Sequence, residues 1–192
     1  MSSEAVNASA GAGKLRYLII TAVVIALDQI TKYLVSIKMV EGDEIEVIRD
    51  FFAISYTKNP GIAFGMLNNG DVRWLLVAIS VVAVLVVLYY MMRAPATNRL
   101  LLWSLALLAA GISGNLIDRV RIGRVIDFIL VHYKDYQWPV FNVADTAITV
   151  GASLMAIELF LTPQADKATV ADHDESPVVD IKNSEVRSQE SE

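Results

Sequence analysis

The chain has no cysteine, only two histidines among 192 residues, and charged residues at just 19%. Without cysteine there are no disulfides, thiolate metal sites or cysteine nucleophiles. Histidine is scarce enough to exclude more: His132 lies in a loop between apolar runs and His173 in an acidic tail, so the usual bases and zinc ligands are missing from the apolar segments. Net charge is −5 and neither terminus carries a basic run, so no nucleic-acid partner is expected.

What is abundant is hydrocarbon. At 55% hydrophobic residues the composition is that of a membrane protein. Four stretches are long enough to cross a bilayer core, which takes about 20 helical residues: Leu15 to Ile37, Val72 to Met92, Leu100 to Leu116 with a polar extension to Arg119, and Asn142 to Leu161. The first is not a cleaved leader, because its apolar core runs into Asp28, Gln29, Thr31 and Lys32 with no small-residue cleavage pattern, and further spans follow. The predicted fold is an all-α membrane protein, a bundle of four transmembrane helices with a small interfacial β-sheet between the first and second.

Residues 1–13, rich in Ser, Ala and Gly, are expected to form a disordered tail, residues 14–162 the membrane domain, and residues 163–192 an acidic disordered tail. Four spans place both termini on one side and segments 38–71 and 120–141 together on the other. In the longer of these, Ile45 to Arg49 and Phe52 to Thr57 are β-like, and Asn59, Pro60 and Gly61 make a turn. The basic residues do not decide orientation by simple count, since Lys38, Arg49, Lys58, Arg73, Arg119, Arg121, Arg124 and Lys134 outnumber those on the terminal side.

Ionisable groups inside such spans are expensive and face a partner or a cavity. Asp28 and Lys32 lie four apart on one helix face, either neutralising each other or bracing a site shared with other helices. Gly111, Asn115 and Asp118 share a stripe on the third helix, where Gly114 adds a second small residue for close packing and Asp118 beside Arg119 is expected to anchor the helix end. "GISG", residues 111–114, matches the pattern around a rhomboid-type serine, but Ser113 has no histidine nearby in sequence. Asn142 is a candidate N-cap, and Asp145, three residues on, suits the positive helix end.

Asp127 is the odd residue in "GRVIDFILVHY", a carboxylate among Val125, Ile126, Phe128, Ile129 and Leu130. The topology puts it on the same side as Asp145. Two carboxylates that meet in a poorly hydrated site share one proton, which supplies an acid and a base for hydrolysis without a metal. The competing reading is a small transporter or proton pathway through Asp28, Lys32, Asp118 and Asp145.

Five blocks in order, "DQITK", "TKNPGIAFG", "GISGNLIDR", "VIDF" and "FNVADTAI", resemble lipoprotein signal peptidase, or signal peptidase II, an aspartic protease family of bacterial membranes. The resemblance covers roughly residues 15–161. It implies that Asp127 and Asp145 are the catalytic pair and that Asp28, Lys32, Asn59, Gly61, Asn115, Arg119 and Asn142 support the site or hold substrate, with no metal and no cofactor. It further implies cytoplasmic termini and a site facing the periplasm or cell exterior, and the protein is expected to be a monomer of the inner membrane. The substrate class is a diacylglyceryl-modified prolipoprotein, cut just before its lipidated cysteine. Residues 41–66 are expected to form an interfacial cradle in which Ile62, Phe64 and Met66 contact membrane lipid or substrate.

Overall fold

The computed structural model describes residues 3–61, 70–134 and 136–162. The expected contacts of Ile62, Phe64 and Met66, and the acidic tail from residue 163 onward, lie outside them. Met1–Phe160 is one compact unit. Its order is α1 (Ser3–Lys38), β1 (Glu44–Ile48), β2 (Phe52–Asn59), α2 (Gly70–Arg93), α3 (Arg99–Ile122), β3 (Val125–Tyr133), β4 (Tyr136–Gln137) and α4 (Val143–Leu161).

Each helix contains a stretch long and apolar enough to cross a membrane: Gly13–Lys38, Val72–Arg93, Arg99–Ile122 and Val143–Leu161. The expected spans are recovered to within a few residues, and helix α1 begins before its span, at Ser3. The added segment is rich in alanine and free of proline, and lengthening a formed helix adds a hydrogen bond per residue without a new nucleus.

Helix α3 is the axis of the bundle, half buried along its span where α2 is almost wholly uncovered. Its start is capped by Asn98, whose side chain accepts from the Leu101 N–H at 3.1 Å. Its end is set by Gly123, left-handed at φ 76°, with its N–H bonded to the Arg119 carbonyl. At the end where α2 passes to α3, Tyr17, Met91, Ala94, Leu102, Leu105 and Ala106 form an apolar cluster. Thr21 Oγ1 ties α1 to α3 there through the Ala106 carbonyl at 3.1 Å.

Toward the other end, small residues let the helices approach. A Cβ on Gly111 would stand 2.3 Å from the Ala144 carbonyl oxygen, and one on Gly114 would stand 2.6 Å from an Asp28 oxygen. The small stripe on α3 therefore brings both α1 and α4 against it. Leu18, Leu27 and Leu34 on α1, and Leu75, Val82 and Leu85 on α2, remain exposed, as lipid-facing side chains must be.

The sheet is larger than expected and draws on both loops of its side. Its order is β1-β2-β3-β4, antiparallel throughout, so half of it comes from the segment between α3 and α4. The stretch holding Asp127 and His132 is strand β3, so His132, expected in a loop, lies on a strand. Val125 to Leu130 is nearly continuous in apolar residues because this strand is covered on both faces, which hides the alternation of an ordinary surface strand. A further bridge pairs Ile129 with Phe141, and this lays the start of α4 alongside Asp127.

Candidate active site

Asn142 holds the site together because it is at once a helix cap and a bridge. Its Oδ1 accepts from the Asp145 N–H at 2.9 Å, while Asp145 Oδ2 accepts from the Asn142 N–H at 3.2 Å. These reciprocal bonds are the capping box expected from the spacing. The same side chain turns its amide N–H groups to Asp127 Oδ1 at 2.7 Å and to the Ile126 carbonyl at 3.2 Å. Both carboxylates therefore lie within one hydrogen bond of a single, fully buried asparagine.

Each carboxylate has a second amide donor. Asn59 Nδ2 reaches Asp127 Oδ2 at 3.0 Å, and Asn115 Nδ2 reaches Asp145 Oδ1 at 2.7 Å. Asn59 is aimed by its own turn, in which Oδ1 accepts from the Gly61 N–H at 2.8 Å. Gly61, at φ 81°, lies against Arg119, with a Cβ there only 3.5 Å from a guanidinium nitrogen. The Arg119 guanidinium donates to the Asn115 carbonyl at 3.3 Å and interacts electrostatically with Asp145, Asp118 and Asp127. Its Nε is buried without a hydrogen-bond partner among the described residues.

Beneath the pair lies a charged cluster. Lys32, 2% exposed, places its ammonium 2.9 Å from Asp28 Oδ2, 2.9 Å from Asp118 Oδ2 and 3.0 Å from Asn115 Oδ1. Three donors meet three acceptors, as a buried ammonium requires. The acceptors then reach the site elements: Asp28 Oδ1 takes the Ala144 N–H at 2.9 Å, and Asp118 Oδ2 takes the Ile126 N–H at 3.2 Å. Asp28 and Lys32 thus neutralise each other and also brace neighbouring elements.

Asp118 is 4% exposed and forms its ion pair with Lys32 of α1 rather than with the adjacent Arg119. Gln29 was not singled out by sequence, yet its Nε2 donates to Asp28 Oδ2, Asp118 Oδ1 and the Gly114 carbonyl at 3.1, 3.1 and 3.2 Å. Arg73 was also missed as a support. It donates to the Arg119 and Val120 carbonyls at 2.8 and 2.6 Å, closing the end of α3. Neither had a sequence signal beyond polarity near an apolar run.

Asp127 is a weaker acid than an ordinary aspartate. Burial pushes its pKa up to about 6, the nearby Asp145 charge acts in the same direction, and the Asn59 and Asn142 donors and Lys32 oppose them. All nine residues singled out in the sequence as site candidates are joined by these contacts.

Residues 20–161 match the family model described as signal peptidase (SPase) II. The chain belongs to the signal peptidase II family. It is similar to a lipoprotein signal peptidase of Symbiobacterium thermophilum, 42% identical over 151 residues that cover 79% of this chain and 98% of that one. A second relative, from Pseudomonas syringae pv. tomato, is 39% identical over 160 residues, with 82% and 92% covered. Among solved structures it is similar to a bacterial membrane enzyme determined by the in meso method, with a TM-score of 0.71, 34% identity, and 76% of this chain and 93% of that one covered.

Membership of the signal peptidase II family makes the chain a membrane protease. The proton-pathway reading has no support: Asp28, Asp118 and Asp145 gather in one bonded cluster instead of being strung through the depth of the bundle. Replacing Lys32 with Met is expected to leave two buried carboxylates without their counter-charge and to destabilise the fold by about 3–5 kcal/mol. Thermal unfolding in detergent measures this, and an unchanged midpoint would mean that the cluster does not hold the site.

Proposed function

We propose that this signal peptidase II family member is an aspartic endopeptidase in which Asp127 and Asp145 activate one water molecule between them. The observation that carries the reading is their common attachment to Asn142. Asp145, as base, takes a proton from the water as its oxygen attacks the scissile carbonyl carbon. Asp127, as acid, donates to the carbonyl oxygen, giving a neutral tetrahedral diol. Collapse then breaks the C–N bond as Asp145, protonated in the first step, donates to the departing nitrogen and Asp127 takes a proton from a diol hydroxyl. No metal takes part in this scheme and no covalent intermediate forms.

Asp127 is assigned the proton because burial raises its affinity for one. Asn59, Asn115 and Asn142 orient the carboxylates, while Asp28 and Lys32 fix the helices that carry them. Gly61 lets the backbone lie close to Arg119, whose unpartnered Nε is a donor for a substrate carbonyl. The substrate class is a prolipoprotein already carrying a diacylglyceryl group on cysteine, cut immediately before that cysteine. A lipid-bearing substrate stays in the bilayer and presents its scissile bond near the surface, where the start of α4 and strand β3 meet.

We further propose that the catalytic unit is residues 14–162, working as a monomer in the bacterial inner membrane with cytoplasmic termini and the site on the periplasmic or exterior side. Because the chain lacks cysteine, single cysteines report this directly. Arg49→Cys is expected to react with an impermeant maleimide in cells with an opened outer layer and an intact inner membrane. Thr97→Cys is expected to react only after lysis, and the opposite pattern inverts the topology.

Asp127→Asn and Asp145→Asn, folded and purified, are each expected to lower kcat/KM for a diacylglyceryl-modified precursor by about 10²–10⁴. EDTA is expected to leave the parent enzyme active. Near-parental turnover by either variant removes the pair from the chemistry, and a metal-restored loss removes the metal-free scheme. The pH dependence has a definite sign: with Asp127 as the acid, kcat/KM is present while it is protonated and declines as pH rises through about 6. A rate that instead climbs through that region would exchange the two roles.

A further inference from the structure

Between α1 and α3, against strands β2 and β3, lies a crevice of about 230 Å³. Gln29, Lys32, Tyr33 and Ser36 contribute from one face of α1, at helical spacing. Asp118, Arg121 and Ile122 contribute from α3, Tyr56 and Lys58 from β2, and Ile126 from β3. Neither Asp127 nor Asp145 lines it. The space far exceeds that of a single water, whose share of liquid volume is about 30 Å³.

The floor and the rim differ in kind. On the floor, Lys32, Asp118 and Gln29 are bonded to one another and to their neighbours, so their charges are mutually satisfied. On the rim, Arg121 is exposed and forms none of the ion pairs found among the described residues. Lys58 has a partially exposed partner, Glu41, at 3.1 Å and stands 5.4 Å over the Tyr56 ring. Such an exposed pair is readily exchanged for a stronger anion.

Location supplies the second half of the argument. Ser36 and Ile122 belong to the last turns of spans Gly13–Lys38 and Arg99–Ile122, at the depth where a bilayer gives way to its headgroups. The rim residues Tyr33 and Ile122 are 60% and 47% exposed, and Tyr33 continues the uncovered apolar surface of Ile30 and Ile37. A ligand here has hydrocarbon beside it and a guanidinium and an ammonium at its rim. That combination suits a phosphate ester with an attached apolar tail.

We propose that this crevice binds the phosphate group of an anionic membrane phospholipid, held by Arg121 and Lys58 at its rim. The bound lipid packs its glycerol and upper acyl carbons against Tyr33 and Ile122. The site is separate from the proposed hydrolytic pair, and its occupancy is read without any measurement of cleavage.

The test uses the full-length protein in nanodiscs of equal phosphatidylglycerol and phosphatidylcholine, with retained lipid counted by native mass spectrometry after release. The parent protein is expected to keep one phosphatidylglycerol in preference to phosphatidylcholine. Arg121→Gln with Lys58→Gln is expected to lower that retention roughly tenfold, the order expected for loss of charge-assisted hydrogen bonds. Arg124→Gln, which alters an exposed cation outside the crevice, is expected to change nothing. Thermal unfolding checks the fold, and the single variant Arg121→Gln decides the question if the double variant is unstable.

Equal retention of the two lipids, or equal losses in the Arg124 and Arg121 variants, would overturn the proposal. So would binding of inorganic phosphate that depends on Arg121 with no phosphatidylglycerol retained, since a soluble anion would then be the ligand.

Discussion

A single buried ammonium constrains the bundle. Lys32 can be dry only if three acceptors surround it, and the three present, Asp28, Asp118 and Asn115, come from α1 and α3. Sliding α1 along α3 by one turn would strand an uncompensated charge in a medium that cannot solvate it. The cluster therefore sets the register of two helices, and its outer oxygens carry that register onward. Asp28 fixes the first turn of α4 through the Ala144 N–H, and Asp118 fixes β3 through the Ile126 N–H. Those are the two elements that bear the paired aspartates.

The arrangement shows how one residue can satisfy both structure and chemistry. A helix beginning at the membrane surface must have its free N–H groups paired, and Asn142 and Asp145 pair them reciprocally. Once capped in this way, Asp145 is held against the Asn142 N–H and the Asn115 amide. Asp127 comes to it on a strand that Phe141 binds from the other side. The position is enforced by backbone bridges and by an asparagine with no freedom to turn away.

Structure also accounts for the basic residues that confuse orientation by charge. Arg73 closes the carbonyl end of α3, and Arg119 lies against Gly61 at the carboxylates. Charges held in place by such contacts contribute little to a topological count that concerns mobile loops. On the proposed reading Lys58 and Arg121 belong to a lipid site, which would remove them from that count as well.

Much was legible from sequence because the determining forces are local or set by the solvent. Hydrophobic run length located all four helices, since only a helix satisfies its backbone within one segment in hydrocarbon. The spacing of Asn142 and Asp145 contained a capping box, because that motif closes within four residues. Asp28 and Lys32 were paired for the same reason, being one turn apart. What sequence could not determine were contacts between distant segments: Asp127 lying on a strand of a four-stranded sheet, Asp118 facing Lys32, and Gln29 joining three acceptors across two helices. Each depends on how α1, α3 and β3 dock, and that depends on where Gly111 and Gly114 allow close approach. The sequence by itself determined which groups could not remain unpaired in a membrane; the tertiary structure alone decided which partners they found, because pairing at a distance is a property of packing.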